Sequence, residues 1–147
     1  MMVRGFDMHV ADLLPHAPPM ILLDDVITHE ENFVHTRVTI RESLPFFKNG
    51  SVPSYVALEY MAQTVGVWKG FLAQQQSQEP QIGFLLGSRR LILNTPFFTE
   101  GAILDVYGEP KYNDGEMASF ECWVTSRGER LAQATLNVFQ PKYGKDL

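Results

Sequence analysis

Glu59 is the residue from which chemistry can be argued. It lies in the run Ser51 to Gln76, SVPSYVALEYMAQTVGVWKGFLAQQQ, whose length and composition predict a helix. At helical spacing Tyr55 and Val56 fall one turn before it and Ala62 and Gln63 one turn after, so a lone acid looks inward where an apolar residue would be expected. Taking an ionised carboxylate out of water costs several kcal/mol unless it is paired. Such a group finds a partner, holds a proton or performs chemistry. A carboxyl that keeps its proton at neutral pH can protonate a leaving group. The duller alternative is a structural carboxylate paired with an arginine or with backbone donors. Gln63, one turn on, is placed to orient the carboxyl. Backbone amides near Ser54 and Tyr55, at the helix start, can hold a developing oxyanion with help from the helix dipole.

Of the histidines, His16 has the most restrained setting. It lies in LLPHAPPM, between Pro15 and the pair Pro18 and Pro19. Each proline fixes its own φ and pushes the preceding residue out of helix, so this loop should hold one shape. An imidazole near pKa 6.5 is suited to accept a proton; the alternative is a loop histidine bonded to the backbone. His35 shares the polar face of a strand with Arg37 and reads as solvated surface. His9 and His29 carry no signal.

The elements that must position these groups follow from the patterning. A strand is predicted over 21–27, a half-buried strand over 33–41 and then an apolar loop at Pro45, Phe46 and Phe47 that should pack over something. The long helix comes next, capped at Ser51 or Val52 with Pro53 in its first turn. Four strands follow, over 83–93, 102–112, 117–125 and 130–139, with a strong hairpin turn at Asn113-Asp114-Gly115. One long helix against such a sheet is an α+β arrangement, with an antiparallel sheet of five to six strands wrapped around the helix. The helix is apolar on most sides, more than one such sheet would cover, which predicts a dimer.

Composition narrows the partners. A chain of 147 residues fits one domain, 1–147, and a net charge of −5 argues against nucleic acid. The single cysteine, Cys122, rules out an intrachain disulfide or a cysteine-based metal site and reads as core. With no signal peptide and no apolar run long enough to span a membrane, the expected compartment is the cytoplasm. Arg89 and Arg90 either blunt a strand edge or, with Lys69 as an outside candidate, form a basic patch for a phosphate-bearing partner.

Three stretches, in this order, resemble the hotdog-fold β-hydroxyacyl-(acyl carrier protein) dehydratases of the FabA/FabZ type. They are LLPHAPPMILLDDV at 13–26, ALEYMAQTVG at 57–66 and GFLLGSRRLILNTPFFTEGAILDV at 83–106. Small size and divergence point to the subgroup from aryl polyene pigment clusters. The resemblance places Glu59 on the family's catalytic acid and His16 on the histidine of its opening motif. The family's catalytic histidine, just before the helix, has no counterpart in PFFKNGSVPSY.

The resemblance implies dehydration of a 3-hydroxyacyl group carried on the phosphopantetheine of an acyl carrier protein, giving the trans-2-enoyl thioester. Glu59 and His16 would be acid and base, Ser54, Tyr55 and Gln63 would assist, and no metal or organic cofactor is needed. Arg89, Arg90 and Lys69 would receive the phosphopantetheine phosphate and the acidic carrier. The expected assembly is a homodimer or a heteromer with a second dehydratase. The missing histidine keeps two rivals open: a hotdog thioesterase in which Glu59 activates water, and a non-catalytic subunit that binds the carrier protein or a sister dehydratase.

Overall fold

The computed structural model describes residues 21–75 and 84–139, the side chains of residues 84–86 excepted; His16 lies outside the described residues. Eight strands and one long helix are assigned among them. These are β1 (Asp25–Glu30), β2 (Phe33–Thr39), β3 (Ser51–Pro53), α1 (Ala57–Gln75), β4 (Phe84–Leu93), β5 (Phe97–Thr99), β6 (Ile103–Asn113), β7 (Met117–Ser126) and β8 (Glu129–Phe139). A six-stranded antiparallel sheet in the order β1-β2-β6-β7-β8-β4 packs one face against α1, the hotdog arrangement expected.

Alternation along the strands decides which face is covered. Val34 and Val38 of β2, Leu104 and Val106 of β6, Phe120, Cys122 and Val124 of β7 and Ala132, Ala134 and Leu136 of β8 are buried on the helix side. They meet Tyr60, Met61, Val65, Val67 and Trp68 of α1 in one apolar core. The helix sits close to the sheet at Gly108, where a Cβ would lie 3.2 Å from the Val34 side chain and 3.9 Å from Thr64. Thr36 and Thr64, both fully buried, satisfy each other there through hydroxyls 2.8 Å apart, and Thr64 also donates to the Tyr60 carbonyl. Trp68 lies edge-on to Phe120 and donates from Nε1 to the Glu31 carbonyl, which ties the β1–β2 turn to the helix.

Three expectations need correction. The first strand begins at Asp25 instead of residue 21; the apolar Leu22 and Leu23 are buried, yet they lie in irregular chain before it. Ser51 and Val52 do not cap the helix. They form β3 with Pro53, pairing with β5, and a single 3-10 turn over Ser54–Val56 leads into α1 with no side-chain cap. Pro53 has extended angles, φ −59° and ψ 138°, which suit a strand end better than a first helical turn. The third concerns Phe46, which does not pack inward: it is 56% exposed and held at φ 70°, while its neighbour Phe47 packs on the core.

Candidate active site

Gln63 organises the site. Its side chain is fully buried, a costly place for an amide unless both ends are bonded. Both are. Its Oε1 accepts from the Leu22 backbone N–H at 2.9 Å, and its Nε2 donates to Glu59 Oε2 at 3.0 Å. The i, i+4 spacing on α1 puts amide and carboxyl on one face, and the amide then fixes one carboxylate oxygen. The same bond pins the chain at Leu22, six residues beyond His16 in the sequence.

Glu59 itself is only half-buried, so among the described residues the acid borders both the core and solvent. Its position on the helix makes this so. From residue 57 to residue 70 the incompletely buried positions of α1 are Leu58, Glu59, Ala62, Gly66 and Lys69, while the other nine are buried. Positions 59, 62, 66 and 69 repeat at helical spacing and make one stripe that the sheet does not cover. The expected all-round burial is therefore interrupted along this stripe.

At the helix start Ser54 is buried and its N–H is already taken by the Pro96 carbonyl at 3.0 Å, which leaves it no amide for an oxyanion. Tyr55, 65% exposed, follows within the opening turn, where backbone amides have no intrahelical acceptor. Tyr60, next to the acid, is no alternative base: burial, with a smaller contribution from Asp24, pushes its phenol up to about 12. Arg89 and Arg90 are exposed on β4, the sheet edge, where Arg90 is held at φ 55° in an irregularity of the pairing with β8. Lys69 is carried by a different element. It lies half-buried on α1, its amine 5.8 Å from the centre of the Trp68 ring, and burial lowers its pKa.

Two histidines behave differently from the sequence reading. His35 is not solvated surface. Its Nε2 lies 2.8 Å from Asp105 Oδ1, the same oxygen receives Arg37 Nε at 2.8 Å, and its ring stacks on Tyr107. Burial lowers the His35 pKa more than the hydrogen bond to Asp105 raises it. Burial also pushes the Asp105 carboxyl up, but the bonds from His35 and Arg37 more than offset this and hold it low. The consistent state near neutrality is an Asp105 carboxylate kept ionised by Arg37 and accepting from a neutral His35. Strand pairing brings these partners together across 70 residues of sequence, on the sheet face away from the helix.

His29 is the residue that sequence reasoning missed. Its ring lies 3.9 Å from that of Phe71, and both ring nitrogens are buried without a hydrogen-bond partner. Burial lowers its pKa. A histidine that resists protonation in the folded state but not in the unfolded one stabilises the fold fully above the unfolded pKa of about 6.5. That contribution is lost as pH falls from there toward the lower folded pKa. Urea midpoints should therefore fall between about pH 7.5 and about pH 5.5, and the fall should shrink in His29→Phe. An equal fall in both proteins would assign the acid sensitivity elsewhere.

Among the described residues no three of His, Cys, Asp and Glu converge as metal ligands, and no helix is long and apolar enough to cross a membrane. A family model described as ApeP dehydratase, of the ApeP-like family, matches residues 8–147. Among solved structures, the dehydratase heterocomplex ApeI:P from Xenorhabdus doucetiae is 35% identical over 92% of this chain and 93% of that one, with a TM-score of 0.88. A hypothetical thioesterase from Streptococcus pneumoniae, solved with coenzyme A, is 14% identical over 80% and 84% of the two chains, with a TM-score of 0.64. A Streptococcus mutans protein bound to acetyl CoA, 14% identical over 86% and 96%, has a TM-score of 0.63. These last two share the fold. A comparison with curated proteins returns no match.

Proposed function

The chain belongs to the ApeP-like dehydratase family, and we propose that it removes water from a 3-hydroxyacyl thioester with Glu59 as the general acid. Dehydration in aryl polyene biosynthesis is the activity that the family match and the 35% identical heterocomplex support. The observation that carries the assignment of the acid is the Gln63 bridge, which spends a fully buried amide on aiming one half-buried carboxyl.

In the reaction a base takes the proton from C2, the electron pair becomes the C2–C3 double bond, and the C3–O bond breaks. The hydroxyl leaves as water with the proton from Glu59. His16 is the proposed base; it precedes by six residues Leu22, whose N–H bonds the residue that holds the acid. The Tyr55 amide, at the head of the helix, faces the developing thioester oxyanion in this reading, and the helix dipole adds to its effect. The substrate is carried on the phosphopantetheine of an acyl carrier protein in the cytoplasm, and the exposed guanidinium groups of Arg89 and Arg90 are suited to its phosphate. The β4 edge offers Leu91, Ile92 and Leu93, each at least 36% exposed, together with open backbone groups to a second hotdog subunit, the same chain or a sister dehydratase.

The test is to incubate the purified protein, alone and with a partner dehydratase, with 3-hydroxyacyl carrier protein and to follow the acyl mass. Loss of one water is expected. Release of the acyl group would make the protein a thioesterase, and retained binding with no change of mass in either mixture would make it a carrier-binding subunit.

A further inference from the structure

We propose that Lys69 reads the far end of the acyl chain and selects chains that end in a hydrogen-bond-accepting group; this rests on the dehydratase reading of Glu59. Lys69 sits on the stripe that carries Glu59, ten residues on, which at the rise of an α-helix is ~15 Å along the axis. Between them the stripe holds Ala62 and Gly66, whose side chains take little of the space beside the helix. With its reacting carbon at Glu59, a chain lying along the stripe brings its tail to Lys69.

The character of Lys69 argues for a polar tail. An alkyl end would be served best by an apolar residue, as the rest of this apolar helix shows is available to the sequence. The chain instead keeps an amine at a half-buried position where burial lowers its pKa, and no carboxylate ion pair compensates it among the described residues. The indole of Trp68, 5.8 Å away, gives it an electron-rich neighbour but accepts no hydrogen bond in the ring plane. An amine so placed gains most from a ligand oxygen, such as a hydroxyl, carbonyl or phenolic oxygen, that arrives with the substrate and fills an acceptor role that no carboxylate among the described residues takes. The phosphopantetheine phosphate is the competing occupant. A phosphodiester is strongly hydrated and favours solvent-exposed cations, and Arg89 and Arg90 supply those on the β4 edge.

The experiment compares Lys69→Met with the wild type on two matched 3-hydroxyacyl N-acetylcysteamine thioesters of equal length, one ending in a methyl and one in a hydroxyl group. The same acyl pair is then presented on carrier protein. The wild type is expected to prefer the hydroxyl-ended chain in kcat/KM, and Lys69→Met to lose about tenfold or more of that preference on both carriers. Lys69→Arg should retain part of it. A preference unchanged by Lys69→Met overturns the inference. So does a rise in KM confined to carrier-protein substrates and independent of the chain end, which would assign Lys69 to the phosphate. If the wild type dehydrates neither thioester nor either carrier-bound substrate, the reading of Glu59 fails first, and that outcome is distinct from both.

Discussion

Glu59→Gln is expected to lower kcat for dehydration by roughly 10²- to 10⁴-fold, the range for removal of a general acid, with little change in thermal stability. The substitution is close to isosteric, and its amide oxygen can still accept from Gln63 Nε2, now 3.0 Å from a carboxylate oxygen. What it cannot do is give a proton to the hydroxyl leaving C3. Because that proton moves in the transition state, kcat and kcat/KM should fall together. A rise in KM alone would mean that Glu59 binds substrate without assisting departure, and a fall in thermal midpoint with normal turnover would return it to the structural role weighed for it from the sequence. His16→Ala is the companion measurement. If His16 is the base, the acid limb of the wild-type rate profile disappears with it. Full activity in His16→Ala beside a dead Glu59→Gln would leave the acid in place and the base unassigned.

The parts legible in the sequence were those written in local spacing. Alternation marked β2, β7 and β8, the Asn113-Asp114-Gly115 turn declared its hairpin, and the four-residue step from Glu59 to Gln63 implied a contact that the helix delivers. Features that depend on what a segment meets were not legible. Ser51–Pro53 and Phe97–Thr99 are three residues each, too short for periodicity, and become strands only by pairing with each other. His35 shares a strand face with Arg37, as surface residues do, and nothing local announces an aspartate 70 residues away. The long helix hid its open stripe for a related reason: Ala62 and Gly66 count as core-compatible in a composition, and only the cover supplied by the sheet separates them from the buried Val65 and Val67. The Gln63 bond to Leu22, across 41 residues, belongs to the same class, and it gives the glutamine a structural duty in addition to the orienting one.

That double duty makes Gln63 the second position of large effect, and two substitutions separate its parts. Gln63→Leu fills the same buried space but removes the acceptor for the Leu22 N–H, in a segment whose side chain is itself buried. Leaving a buried donor unsatisfied costs about 1–3 kcal/mol, so the urea midpoint should fall. Activity should fall with it, because Glu59 loses the donor that fixes its Oε2. Gln63→Glu keeps an acceptor for Leu22 and changes the other end, setting a second carboxyl about 3 Å from Glu59. Two acids that close share protons, and one of their apparent pKa values is driven up. Since the acid must be protonated to work, the alkaline limb of the kcat profile should move to higher pH in Gln63→Glu, and its stability loss, unlike that of Gln63→Leu, should shrink as pH falls and the shared proton is taken up. A purely structural glutamine would change the midpoints and leave the position of that limb untouched.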